Sequence, residues 1–398
     1  NWYGTQDLRA LEPAYVSSVD SGNLAGHLIV LANTCEEWAA EPLAANGAKG
    51  LMDNLLLAEI SFKALPPGDA DFKRKLWAVL EQIRMDLKGV DDAQMLPLSL
   101  KSLLAKASAM VHGVARPIDD NAFIDLSYWI EALILAAAEH EYDQQLTQEM
   151  QELVNDRLLK LAAEARHMAL TMDFAFLLDP ERKLLSIGYS LVDNSLDPSC
   201  YDLLASEARL ASLFAIAKGD VPTRHWFRLG RAATPIGKGA ALISWSGSMF
   251  EYLMPSLVMR APAGSLLEQT NQLVVERQQA YGRSLNIPWG ISESAYSARD
   301  IEFTYQYSNF GVPGLGLKRG LSENTVIAPY ATGLAAMVDP HGALQNYEKL
   351  AEMGALGRYG FYEALDFTRS RLPENQQVVI VRNYMAHHQG MTIVAIAN

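Results

Sequence analysis

Residues 126–170 read "LSYWIEALILAAAEHEYDQQLTQEMQELVNDRLLKLAAEARHMAL", with apolar residues returning every three or four positions and Glu, Gln, Asp and Arg filling the places between. That is the period of an α-helix with one face in a core, so the stretch predicts long amphipathic helices rather than strands. Towards the N-terminus the same period runs through residues 21–39, "SGNLAGHLIVLANTCEEWA", and through residues 47–90. Inside the latter, "LPPGDAD" at 65–71 interrupts it: Pro and Gly end one helix and Asp caps the next. The pattern is helical from about Asp20 to Gln151.

Towards the C-terminus the texture changes at Met172. "MDFAFLLDPERKLLSIGYSL", 172–191, places two apolar runs around Asp-Pro-Glu-Arg and reads as a β-hairpin. Short strand-like pieces follow in "HWFRLGRAAT" (225–234) and "GAALISWSG" (239–247). Helical spacing returns at 202–219, 265–284, 330–354 and 378–398. The chain therefore reads as mainly α with a small inserted β-sheet. Its helical hairpins, joined by Gly- and aromatic-rich loops, suggest a toroid of paired helices whose loops line a groove at one end.

Composition excludes several functions. With 398 residues, 49% hydrophobic and 20% charged, the chain has ample material for a large core. Its net charge of −13 and lack of a Lys/Arg cluster argue against nucleic acid or an anionic membrane surface as a partner. Two cysteines, Cys35 and Cys200, make neither a disulfide framework nor a metal-ligand spacing. His387 and His388 are adjacent and point to different faces of a helix, a poor zinc pair. The "GVPGLGLKRG" stretch at 311–320 lacks the spacing of a phosphate-binding loop and reads as a loop over the groove. No metal or cofactor is expected. The chain starts at Asn1 and stops within an apolar run, "HHQGMTIVAIAN", which reads as a piece of a longer protein.

Three carboxylates stand in unusual company. Glu293 lies in "NIPWGISESAY", 286–296, among small residues and two aromatics with no other charge, where an unpaired buried carboxylate costs several kcal/mol. Glu207 lies in "YDLLASEARL", near one apolar helical face, with Asp202 and Arg209 close by. Glu251 follows Trp245 and Ser-Gly-Ser in "SWSGSMFEYLMP", which suits either a sugar-binding surface or a turn whose backbone N–H groups the carboxylate accepts. Carboxylate pairs without a metal cluster or a Ser/His/Asp arrangement point to glycosidic-bond chemistry. That reaction needs one acid for the leaving oxygen and one carboxylate to attack or to activate water. Trp245, Trp289 and Tyr296 are the candidate stacking surface for sugar rings.

These motifs, with "EPAYVSSVDSGNLAGHL", "FGVPGLGLKRGL", "GFYEALDFT" and "NYMAHHQGM", run in order along almost the whole chain. Together they resemble the glucoamylase-like middle domain of cyclic β-1,2-glucan synthases. The resemblance implies an (α/α)6 toroid over 126–398 after an added helical region at 1–125. It also implies a retaining transglycosylase that closes linear β-1,2-glucan into rings, with Glu207 as acid/base and Glu293 as nucleophile. Glucan contacts are then expected from Asp202, Arg209, Trp245, Glu251, Trp289, Tyr296, Tyr362, Tyr384, His387 and His388. The family's partners would be a covalently linked glycosyltransferase and a phosphorylase-like domain, at the cytoplasmic face of a bacterial inner membrane. Hydrolysis of the same glucan, and glucan binding without catalysis, are the competing readings.

Overall fold

The Pro-Pro-Gly-Asp break at 66–69 does what its residue types require: the Asp69 carboxylate accepts the backbone N–H groups of Asp71 and Phe72, at 2.9 and 3.1 Å, and starts a helix. The computed structural model describes residues 3, 4, 6–40, 47–90, 95–114 and 121–398. Among them are the helices α1 (Ser18–Ala40), α2 (Gly47–Lys63), α3 (Ala70–Leu87), α4 (Leu98–His112), α5 (Asn121–Gln144) and α6 (Gln148–Thr171). The second half adds α7 (Arg209–Lys218), α8 (Met249–Leu253), α9 (Leu266–Leu285), α10 (Pro329–Ala336), α11 (Pro340–Glu352) and α12 (Ala386–Ala397). The mainly α class is borne out. By its contacts the chain forms two compact units, Thr34–Ala162 and the combined segments Asn1–Asn33 and Ala163–Asn398. The division falls within α1 and α6, whereas the sequence reading sets its boundary at 125/126, where no helix ends.

The unit Thr34–Ala162 is a helical bundle. Leu51 and Leu55 of α2, Leu76, Leu80 and Ile83 of α3, Leu100 and Leu104 of α4, and Leu126, Ile130 and Leu133 of α5 share its core, each set at three- or four-residue spacing. Glu59 is buried among them and is held by the Arg84 guanidinium, whose Nε donates at 2.9 Å. By length and composition α5 is long and apolar enough to cross a membrane, yet one stripe of it lies in this core.

Among the described residues the second unit carries β structure in five small sheets, where the sequence suggested one. Strand β1 (Tyr15–Ser17) pairs antiparallel with β2 (Gly188–Ser190), and β2 with β3 (Ser195–Leu196). Strands β4 (Ala233–Ile236) and β5 (Gly239–Leu242) form a hairpin, as do β6 (Ser294–Arg299) and β7 (Tyr305–Ser308). In the remaining pairings β8 (Val326–Ile327) and β12 (Val379–Val381) flank β11 (Ala364–Asp366), and β9 (Leu356–Gly357) pairs with β10 (Gly360–Phe361).

Three expectations change here. The predicted hairpin at 172–191 is a turn closed by the Asp179 carboxylate on the N–H groups of Glu181 and Arg182, with a single bridge between Leu178 and Leu185. Phe174, Leu177 and Leu185 all enter one core with Ala25 and Ala211, which leaves the two arms little ladder to share. In 202–219 the helix begins only at Arg209, because Asp202 and Leu204 exchange backbone hydrogen bonds with Gly230. Glu207 therefore stands in the turn before α7 and not on a helix face. At 378–381 the β-branched run is strand β12, with α12 following it.

Candidate active site

Glu207, Glu251 and Glu293 reach the site from three separate segments: the turn before α7, the short helix α8, and the residue preceding β6. All three line a cavity of about 480 Å³, together with Tyr201, Asp202, Trp245 and Asn309. A second cavity of about 440 Å³ shares Tyr201, Glu207 and Glu293 and runs on to Asp20, Asn23, Phe250 and His387. The two carboxylates proposed from sequence thus stand where the cavities meet.

Both hold a proton more tightly than an ordinary carboxyl. Burial, reinforced by the charges of Glu251 and Glu293, pushes the Glu207 carboxyl up to about 7, against the opposing hydrogen bond from Ser206 Oγ at 3.2 Å. Burial also raises Glu293, opposed by the Tyr307 hydroxyl, which donates to its Oε1 at 3.0 Å, and by His388. The Tyr201 phenol, part of both cavity walls, is raised by burial and by the charge of Glu207. A low-dielectric site with two elevated carboxyls is suited to moving one proton between them and a substrate oxygen.

Glu251 has a different task. Its Oε2 accepts from Ser244 Oγ at 2.7 Å, Ser246 Oγ at 2.6 Å, and the backbone N–H groups of Ser246 and Gly247, both at 3.0 Å. Ser248 N–H donates to the same oxygen at 3.4 Å and Ser248 Oγ in turn accepts the Glu251 N–H, so the pair caps α8 reciprocally. The carboxylate therefore fixes the 244–248 turn, which carries Trp245 to the cavity rim. Behind that turn lies the 311–320 loop, which the sequence reading set over the groove. Leu317 N–H donates to Ser244 carbonyl at 3.1 Å, Lys318 N–H to Trp245 carbonyl at 2.8 Å, and Val312 N–H to Gly247 carbonyl at 3.2 Å. A Cβ on Gly311 would stand 1.8 Å from Ser246 carbonyl oxygen, so only glycine permits this approach.

The predicted glucan contacts divide. Asp202 and Trp245 line the first cavity and His387 the second, with Trp245 58% exposed. Arg209 is buried and its guanidinium donates to the carbonyls of Ser206, Glu251 and Tyr252, which ties α7 to α8; burial lowers it to about 10. Trp289 is 8% exposed in the core, its backbone bracketed by the Asn346 amide. Tyr296 packs edge-on to Phe310 under the Arg371 guanidinium. Tyr362 and Tyr384 pack on each other, 5.1 Å between ring centroids, and line neither cavity. His388 is buried against Tyr330 and Glu363. Sequence reasoning missed Tyr201, Asp20, Tyr307 and Glu363. Tyr201 and Glu363 adjoin Asp202 and Tyr362 in stretches already singled out, whereas the 305–308 strand that carries Tyr307 offered no motif.

Comparison with known proteins bears on this site. Residues 199–398, which include all three carboxylates, match the Glycoamylase family model, described as "Putative glucoamylase". Over 408 aligned residues the chain is 50% identical to the cyclic beta-(1,2)-glucan synthase NdvB of Rhizobium meliloti (strain 1021), covering 100% of this chain and 14% of that protein. The chain thus spans a small part of that relative's length. Two solved structures of the endo-beta-1,2-glucanase from Talaromyces funiculosus are similar at lower levels. The complex with sophorose has 13% identity and a TM-score of 0.46, covering 88% of this chain and 74% of that one. A mutant in complex with beta-1,2-glucan has 11% identity and a TM-score of 0.49, covering 94% and 84%.

Proposed function

Because the chain belongs to the Glycoamylase family, we propose that its two-cavity groove is the active site of a transglycosylase that cuts linear β-1,2-glucan and rejoins it as a ring with retention at the anomeric carbon. The observation that carries this reading is the placing of Glu207 and Glu293, both raised by burial, at the junction of two cavities. The 50% identity to a protein named cyclic beta-(1,2)-glucan synthase supports the substrate. In the same reading the unit is an (α/α)6 toroid. It is also part of a larger protein at the cytoplasmic face of a bacterial inner membrane, covalently linked to glycosyltransferase and phosphorylase-like domains.

Glu207, protonated below about 7, gives its proton to the leaving glycosidic oxygen while the Glu293 carboxylate attacks the anomeric carbon and forms a glycosyl ester. A hydroxyl at the other end of the same glucan then enters. Its proton passes to Glu207, its oxygen displaces Glu293, and the ring closes. If water enters in its place, the same steps give hydrolysis.

Incubation with long linear β-1,2-glucan and mass analysis of the products tests the reading. Rings, each one water lighter than a linear chain, are expected; shorter linear chains alone would make the enzyme a hydrolase, and unchanged glucan would leave only a binding protein. Glu293→Gln should abolish turnover with the fold intact. Azide is expected to rescue Glu293→Ala with the inverted glycosyl azide as product; the inverted azide from Glu207→Ala instead would exchange the two roles and leave the pair standing.

A further inference from the structure

Glu293 is the end of a chain of side chains drawn from three other elements. Tyr307 of β7 donates to its Oε1 at 3.0 Å, and the same hydroxyl lies 3.4 Å from Nε2 of His388 in α12. Nδ1 of His388 in turn sits 2.9 and 3.0 Å from the two oxygens of Glu363, just before β11. Glu363 and His388 are 2% and 1% exposed, so this is no solvated surface pair. Both are fixed further: Glu363 accepts the Ala295 N–H at 3.1 Å, and the His388 ring stacks on Tyr330 at 3.8 Å between centroids. The Tyr330 hydroxyl closes the loop by donating to the Glu293 carbonyl at 2.9 Å.

Counting protons limits what this chain can be. A phenol has one hydrogen, and here it goes to Glu293. The contact between Tyr307 and His388 is then a hydrogen bond only when Nε2 donates, and with Nδ1 also donating to Glu363 both ring nitrogens must carry hydrogen. Once Glu293 carries a proton, it no longer attracts the phenol hydrogen, which can turn to Nε2.

We propose that Glu363, His388 and Tyr307 form a positioning relay that ties the charge of Glu293 to the charge of the buried imidazole. His388 carries both ring protons while Glu293 is a carboxylate, and gives one up when Glu293 takes a proton. In the proton form of the exchange, the Nε2 proton passes to the phenol oxygen as the phenol proton passes to Glu293. One N–H and one O–H bond break, two O–H bonds form, and the ring's positive charge cancels the carboxylate's negative one. The relay rests on the reading that Glu293 is one of the two reacting carboxyls.

Other charges also face these groups. Glu293 is within the influence of Glu251 on α8 and Asp20 on α1, and it acts on Glu207 in turn. His388 is faced by His387, Tyr307, Tyr330 and Glu363. Of the groups around Glu293, Tyr307 and His388 favour the charged carboxylate, whereas burial, Glu251 and Asp20 oppose it. Removing either should therefore move the titration of Glu293 to higher pH.

The test is the pH dependence of kcat/KM on linear β-1,2-glucan for the parent, Tyr307→Phe, His388→Gln and the double variant, with thermal unfolding in parallel. Each single change should move the limb that reports Glu293 upward by about one pH unit, and the double change no further than either, because the relay is already broken. The acidic limb moves if Glu293 attacks and the alkaline limb if it donates, so the outcome does not depend on how the two roles are divided. Unmoved limbs with only a lower kcat or Tm, or shifts that add, would overturn the relay while leaving the reaction in place. Full turnover by Glu293→Gln would instead overturn the functional reading and the relay with it. Tyr307 is half-exposed, so its variant keeps the test open even if His388→Gln does not fold.

Discussion

Glu251→Gln separates holding the site from performing the reaction. In the parent, one oxygen of Glu251 takes four donors within 3.0 Å: two serine hydroxyls and two backbone N–H groups from residues 244–247. An amide oxygen accepts two such bonds well, and the amide nitrogen accepts none, so at least two buried donors lose their partner. At about 1–3 kcal/mol for each orphaned donor, the variant should lose about 2–6 kcal/mol of stability, a large share of what a folded domain has in total. The turn also carries Trp245 and Ser246 to the cavity, so loosening it should cost about one to two decades in turnover of the folded fraction. Urea unfolding gives the first number, and steady-state rates at a temperature where both proteins are folded give the second. A Glu251→Gln protein as stable as its parent would refute the argument. If that stable protein were also as inactive as Glu293→Gln, and azide revived Glu251→Ala with an inverted glycosyl azide as product, Glu251 would be the attacking group.

The two tryptophans named together in the sequence should behave as opposites. Trp245→Ala should leave stability within about 0.5 kcal/mol and raise KM for glucan three- to tenfold, roughly the worth of one aromatic stacking contact, whereas Trp289→Ala should lose about 3–5 kcal/mol of stability. Equal effects on KM and unfolding for both would contradict their placement. For Glu207, a carboxyl raised from the ordinary 4.5 to about 7 contributes stability that is present below 4.5 and is lost as pH rises through about 7. The parent should therefore lose stability relative to Glu207→Gln across that interval, and parallel curves in urea unfolding would show that burial does not raise this group. Its kcat/KM should also fall on the alkaline side near the same value if Glu207 is the proton donor.

Much of the helical framework was legible because it rests on local rules. The three- and four-residue spacing in 47–90 and 126–170 produced α2, α3, α5 and α6, and Asp69 capped α3 where Pro-Pro-Gly-Asp said it should. The same rule failed at 202–208, where apolar residues also fall at helical spacing. There Gly230, more than twenty residues away, takes the backbone into a bridge and leaves Glu207 in a turn. Glu251 shows a signal present but read for another purpose. Ser248-Met-Phe-Glu251 has the Ser-x-x-Glu spacing of a reciprocal helix cap, and the carboxylate went to the turn.

By itself, the sequence singled out three carboxylates in unusual company, Glu207, Glu251 and Glu293. Local composition marks Glu293 as a carboxylate out of place, whereas the choice of Glu207 as its partner came from the family resemblance. Nothing local distinguishes Trp245, at the cavity rim, from Trp289, in the core, since each is a large ring among small residues. Only the tertiary structure decided that, and only it decided the charge of the two carboxyls. Burial and like-charged neighbours depend on segments far apart in the chain: β7, α12 and the residue before β11 meet at Glu293 through Tyr307, His388 and Glu363. A proton's free energy depends on what surrounds it within a few ångströms, and the order of residues along a chain does not state those distances.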